Sequence, residues 1–332
     1  MVSKKSLQEA AEKNIIKEEQ IEALYQVLQA SPSEAPPDGR EEPLKFIRSF
    51  GDVFIALGIV LLVMAVNGSN ISGYYFLVPV AGLVILAEWL VRVRKLALPG
   101  IAILLAILFF VNRAIVFQND SASMLSLGVL GVSSLLFYLR YKMPFSLLAL
   151  AASLVAMASM QAGFNLIKHP EIFSVFGLVV FAVAMWFDSR DTKRVSHMSD
   201  GAFWLHLLAA PLIVHGLMLT MLTSDQVWFV SLGKEWLIIA FFVVFFLLAL
   251  LVDRRAMIIS TQLYMIYALT KLLQENVNDT QNVVIYIFLA LGIFVIYFGT
   301  YWYRTRRFVF GFLSKSFISH YVPDFKIQDV KK

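Results

Sequence analysis

Polar residues along this chain collect in narrow bands, separated by apolar runs that are each about long enough to cross a bilayer. The runs lie near residues 50 to 67, 73 to 92, 97 to 117, 122 to 139, 144 to 161, 171 to 187, 202 to 222, 235 to 252, 255 to 272 and 281 to 303. Hydrocarbon about 30 Å thick, with a helix rise of about 1.5 Å per residue, asks for roughly 20 such residues per crossing. The pattern predicts an all-α, polytopic membrane helix bundle of about ten transmembrane helices. Ahead of the first run, Lys5 to Gln29 has a helical pattern, with Ile21, Leu24, Tyr25 and Leu28 on one face. Ser31-Pro32-Ser33-Glu34-Ala35-Pro36-Pro37-Asp38-Gly39 then stops any helix and reads as a flexible linker. The expected organisation is a helical appendage over 1–30, a linker over 31–43, a membrane domain over 44–303 and a basic aromatic tail over 304–332.

Charge fixes the expected orientation. Alternate loops carry Lys45 and Arg48; Arg92, Arg94 and Lys95; Arg140 and Lys142; Arg190, Lys193 and Arg194; Arg254 and Arg255; and Arg304, Arg306 and Arg307. The intervening loops hold only Lys168 and Lys234. By the positive-inside rule the basic side and both termini are cytoplasmic, and the number of spans is even. Trp89, Trp186, Trp204, Trp236 and Trp302 lie near predicted helix ends, where amphipathic rings prefer the headgroup layer. Beyond Arg307 the tail interleaves Phe308, Phe310, Phe312, Leu313, Phe317, Ile318 and Tyr321 with Lys315, a composition that fits either an interfacial segment or a helix under the bundle.

Composition agrees: the chain is 59% hydrophobic and only 15% charged, where soluble domains carry roughly 25% charged residues. The net charge of +5 comes from helix-end cations that face lipid headgroups, so no nucleic-acid partner is expected. With no cysteine, disulfides, thiolate catalysis and cysteine-bound metals are excluded. The polar N-terminus lacks the pattern of a cleaved signal peptide, leaving the first span as the insertion signal. No cofactor or metal is implied by any motif.

Ile16-Lys17-Glu18-Glu19-Gln20, followed by Leu44-Lys45-Phe46-Ile47-Arg48-Ser49-Phe50-Gly51 running into Ala56-Leu57-Gly58-Ile59-Val60-Leu61, resembles a family of uncharacterised bacterial polytopic membrane proteins. In that family a short helical segment with an E-Q pair precedes a first span rich in Gly, Leu, Ile and Val. The resemblance covers about the first quarter of the chain. Where the family pattern has Asn followed by Trp, Asn67 is here followed by Gly68. The resemblance implies a bacterial inner-membrane protein with a cytoplasmic N-terminal appendage, and it brings no catalytic residues.

Three constellations are candidates for chemistry. Asp188, Asp191, His197, Asp200 and His206 gather carboxylates and imidazoles at the cytoplasmic face, with Asp52, Glu88 and Asp253 near the same level. These are ligand and acid-base types, but they lack metal-site spacing and alternate with cations as a solvated loop does. His206 and His215 share one span on opposite faces, being nine residues apart at about 100° each. Ser260, Tyr264, Tyr267 and Lys271 form one polar stripe on the ninth span, with Asn112 and Arg113 at similar depth, and the stripe must face protein or water. Pro79 and Pro211 stand as candidate helix breaks in corresponding spans of two five-span halves, the arithmetic of an inverted repeat.

Three functions remain open on the sequence. One is transporter-like or channel-like movement of a small polar or anionic solute or lipid. Another is a membrane-embedded enzyme at the cytoplasmic face. The third is a noncatalytic assembly or sensory protein that docks a partner protein through its N-terminal helices.

Overall fold

The computed structural model describes residues 7–8, 11, 16–30, 47, 49–116, 124–164, 168–192, 196–223, 234–274, 280–312 and 321–322. The chain divides into two compact units, Met1–Lys45 with Gln328–Lys332, and Phe46–Ile327. In the first unit, α1 (Gln20–Ala30) starts after a turn in which the Gln20 N–H donates to Lys17 O at 2.9 Å. Of its apolar stripe Ile21 and Tyr25 are half-buried while Leu24 is exposed.

The second unit holds the apolar runs, every one of them helical. They are α2 (Phe50–Asn67); a 3-10 turn (Gly73–Phe76) leading into α3 (Leu77–Ala87) and a π-helical turn (Glu88–Val93); α4 (Ala97–Val116); α5 (Met124–Tyr141); and α6 (Phe145–Gln161). Then follow α7 (Pro170–Arg190), α8 (His197–Thr223), α9 (Lys234–Val252), α10 (Ala256–Gln274) and α11 (Thr280–Phe310). Among the described residues, 8 of these segments are long and apolar enough to cross a membrane: α2, the composite around α3, α4, α5, α7, α8, α9 and α11. α6 is a shorter apolar helix, and α10, the helix of the polar stripe, is not in that set. Length and composition therefore carry about 8 spans, not the ten expected.

Most of what these helices expose is apolar, including Val78, Ile85 and Ile296. Water would make that surface an aggregation hazard, whereas hydrocarbon makes it the natural outside. The protein is a multi-pass helical membrane protein.

The last helix departs from expectation. The apolar run ends near 303, yet α11 continues to Phe310 through a kink at Tyr301 (φ −104°, ψ 19°). Arg304, Arg306 and Arg307 thus belong to the helix, not to a tail. The segment with Phe317 and Ile318 lies outside the described residues.

Packing is organised around two helices. α4 contacts α2, α3 and α5, and its Ile103, Leu104 and Phe110 are fully buried. α8 contacts α6, α7, α9 and α10, and pairs most extensively with α7. The hub is thus the third helix of the first five but the second of the last five, so the helix contacts lend nothing to an inverted repeat. Neither proline interrupts a helix: Pro79 is near the start of α3, just after the 3-10 turn, and Pro211 lies inside the continuous α8. The α7–α8 hairpin closes on small residues, as membrane helix pairs do. A Cβ on Gly177 would fall 2.7 Å from the Ile213 backbone nitrogen, and one on Gly216 would fall 2.6 Å from Pro170 O. The Ser174 hydroxyl, in the same seam, donates to Ile213 O at 3.1 Å.

Candidate functional site

At the Arg-rich end of the second unit, four elements meet in a buried charged knot. α7 begins with Pro170 at its first turn and Glu171 beside the positive helix end, and it runs to Arg190. This places Asp188 in the last turn. α8 begins at a capped start, where the Ser196 hydroxyl accepts from the Met198 N–H at 3.2 Å. Its Ser199 and His206 both reach the knot.

The turn between α9 and α10 supplies the cation. Asp253 takes a left-handed φ of 62°, and the Arg254 N–H returns to Ala249 O at 2.9 Å, a helix-ending turn that Asp tolerates. Arg254 then forks onto Asp188: Nη2 donates to Oδ1, and Nε donates to Oδ2 at 3.2 Å. The same Nη2 reaches Ser199 O at 3.2 Å. His206 Nε2 lies 2.9 Å from Asp188 Oδ2, and because an ionised carboxylate only accepts, this nitrogen carries the proton. Asp188, His206 and Arg254 are 3%, 0% and 2% exposed, so no substrate touches them in this arrangement.

The knot extends to α11. The Trp302 indole N–H donates to Asp253 Oδ1 at 2.6 Å, and the Arg255 guanidinium stands 5.5 Å over the Trp302 ring. Buried Arg306 donates from Nε to Leu250 O at 3.0 Å and from Nη2 to Leu251 O at 3.2 Å, satisfying carbonyls that the end of α9 leaves open. A second, more open knot ties the π-helical turn after α3 to the end of α5, at the Arg-rich end. There Glu88, on the π-helical turn, accepts from Arg140 Nε at 2.7 Å, Arg140 Nη2 at 2.9 Å, Arg92 Nη1 at 3.1 Å and the Tyr141 hydroxyl at 3.1 Å.

The expected cluster of Asp188, Asp191, His197, Asp200 and His206 is therefore divided. Asp188 and His206 meet each other and Arg254. Asp191 instead closes the α7–α8 loop, accepting from the Ser196 N–H and hydroxyl, each at 2.7 Å. His197 is exposed at the start of α8, and Asp200 sits in its first turn, where a carboxylate complements the helix dipole. Among the described residues no group of three His, Asp or Glu is placed to hold a metal ion. Arg254 was hidden in the sequence as one more topological charge. The signal that finds it is an Asp-Arg-Arg triplet in a turn too short to solvate all three. Asp52 is buried and accepts from the Ser49 hydroxyl at 3.1 Å.

The second constellation lies deeper. His215 faces away from the knot, as nine residues of helix dictate, and its Nδ1 meets the Tyr264 hydroxyl of α10 at 2.7 Å. Exposure grows along the stripe: Ser260 and Tyr264 are half-buried, Tyr267 is 39% exposed and Lys271 is exposed. Asn112 and Arg113 do not join it. Arg113 stands 5.3 Å over the Phe76 ring, against the helices around α4.

Fold and side chains together define a multi-pass helical membrane protein with one sealed and one open charged knot, plus a polar face on α10. Compared with protein-family models, curated proteins and solved structures, the chain matches none.

Proposed function

We propose that this is a transporter-like protein of a bacterial inner membrane, with both termini cytoplasmic, that moves a small polar or anionic solute along the face between α8 and α10. One observation carries the reading: the polar stripe on α10 opens progressively from the His215–Tyr264 pair, near the middle of the helix, to Tyr267 and Lys271 at the end away from the knots. Hydroxyls and a cation at that depth are costly against hydrocarbon and natural along a wet path. Lys271 at its mouth favours an anion. The sealed knot at the other end serves as the closed side of such a path. The enzyme reading finds less support, since Asp188 and His206 are locked into the Arg254 knot and Asp191 onto Ser196, apart from His197 and Asp200.

The cysteine-free chain permits a direct test. Tyr264→Cys and Tyr267→Cys, in sealed vesicles, are expected to react with a membrane-impermeant sulfonated thiol reagent, the latter faster, while Ile296→Cys on α11 stays unreactive. Reaction of Tyr267→Cys no faster than Ile296→Cys would place the stripe against lipid and end the transport reading. What then remains is the noncatalytic assembly protein, which draws on the separate compact N-terminal unit.

A further inference from the structure

Between α6 and α7 runs an apolar groove of about 340 Å³, floored by Leu205 of α8 and walled by Leu150 and Leu154 on one side and Val179 and Val183 on the other. It exists because α6 and α7 each pack on α8 without packing extensively on one another. At the Arg-rich end Leu147 and Phe187 converge over Gly201, where an added Cβ would meet Leu147 Cδ1 at 2.9 Å and Phe187 Cδ1 at 3.5 Å. Ala158 and Phe176 line the far end. From Leu147 to Ala158, and again from Phe176 to Phe187, the groove covers a length of about 16 Å at the helical rise.

We infer that this groove holds one acyl chain of an anionic phospholipid. Length selects the chain over a transmembrane helix, which needs a face about 30 Å long to cross the hydrocarbon, where the groove runs about 16 Å. The length also approximates one leaflet of a hydrocarbon core about 30 Å thick, so a chain entering from the Arg-rich end spends itself where the groove does. Charge selects the headgroup. Arg190 lies one turn beyond Phe187, seven residues from Val183 and hence on the groove face of α7. It is exposed, with its guanidinium 4.6 Å from the ring of the half-exposed Trp186. An exposed guanidinium beside an interfacial indole is placed to pair with a lipid phosphate.

The full chain, reconstituted in equimolar phosphatidylglycerol and phosphatidylcholine, supplies the test. Phosphatidylglycerol carrying a photoreactive group midway along one acyl chain is expected to leave its adducts on peptides containing Leu150 to Ala158 or Phe176 to Val183. Adducts spread evenly over α2 and α11 would overturn the site without any mutation. In native mass spectrometry after detergent extraction, the wild-type chain is expected to retain one phosphatidylglycerol in preference to phosphatidylcholine. Ala151→Trp and Ala158→Trp, which fill the groove, should lower retention about tenfold, while Val295→Trp on the outer face of α11 should not. Arg190→Gln should keep a lipid but lose the headgroup preference. Equal retention of both lipids by the wild type would refute the anionic occupant, and unchanged retention in both filled variants would refute the groove.

Discussion

Replacing Asp188 with leucine tests whether the sealed knot is the clasp of the second half. The substitution removes the carboxylate that Arg254 meets through two nitrogens and His206 through one, while Arg254 stays 2% exposed in a site closed to water. Breaking a buried pair by deleting one partner costs about 3–5 kcal/mol, since the surviving charge keeps its desolvation penalty. Arg254→Met should cost a similar amount. Together, Asp188→Leu and Arg254→Met remove both charges, and an apolar replacement of a buried pair is often neutral or favourable by about 1–4 kcal/mol. Here His206 and Ser199 lose partners too, at about 1–3 kcal/mol for an unsatisfied buried group. The double variant should therefore fall within about 2 kcal/mol of wild type, well short of the sum of the singles. Equilibrium unfolding in mixed dodecyl maltoside and dodecyl sulfate micelles, followed by tryptophan fluorescence, measures all three. Arg94→Met is the control, because that side chain is exposed, 5.9 Å over the Trp89 ring. An Asp188→Leu cost no larger than that of the control, or an additive double variant, would refute the clasp.

Two further outcomes follow from packing and from charge. Gly216→Ala, whose Cβ would press to 2.6 Å from Pro170 O, should destabilise the α7–α8 hairpin by about 1–3 kcal/mol. By contrast Gly292→Ala, with nothing within 4 Å, should be neutral or stabilising by up to about 1 kcal/mol in the same unfolding assay. For the proposed orientation, single cysteines at Asn70, Asn119 and Asn278 should be labelled from outside intact cells and those at Ser3, Lys142 and Lys193 should not; outside labelling at Lys142 would reverse the arrangement.

The helices were legible in the sequence because hydropathy is a local property: Phe50–Asn67 and Lys234–Val252 fall within a residue of their apolar runs. Partners were not, because they depend on which faces meet. Asp188 and Arg254 are 66 residues apart, and neither periodicity nor loop charge joins them. His215 and Tyr264 were both recognisable as polar groups at membrane depth, yet only packing of α8 on α10 turns them into a pair. The α11 terminus was misread for a related reason. Arg304 to Arg307 ends an apolar run, but Arg306 finds the open carbonyls of Leu250 and Leu251, and that partnership lets the helix continue past the charge.

The two ends of the membrane unit are built differently, and the difference bears on motion. On the Arg-rich side, helices turn back through left-handed residues at Lys95, Lys142 and Asp253. Each of these turns is closed by a return hydrogen bond: Leu96 N–H to Leu90 O at 3.0 Å, Lys142 N–H to Tyr138 O at 2.7 Å and Arg254 N–H to Ala249 O at 2.9 Å. A non-glycine residue held at positive φ persists only where its surroundings over-determine it, and the two carboxylate–arginine knots sit directly beside these turns. Rearranging that side means breaking several charge-assisted bonds at once. On the opposite side the exposed part of the α10 stripe, Tyr267 and Lys271, belongs to no such network in the described structure. Local opening is easiest where buried contacts and hydrogen bonds are fewest. For the proposed path, which requires α8 and α10 to part, the Lys271 end has the fewest bonds to break and the knotted end the most, and the His215–Tyr264 hydrogen bond lies between them.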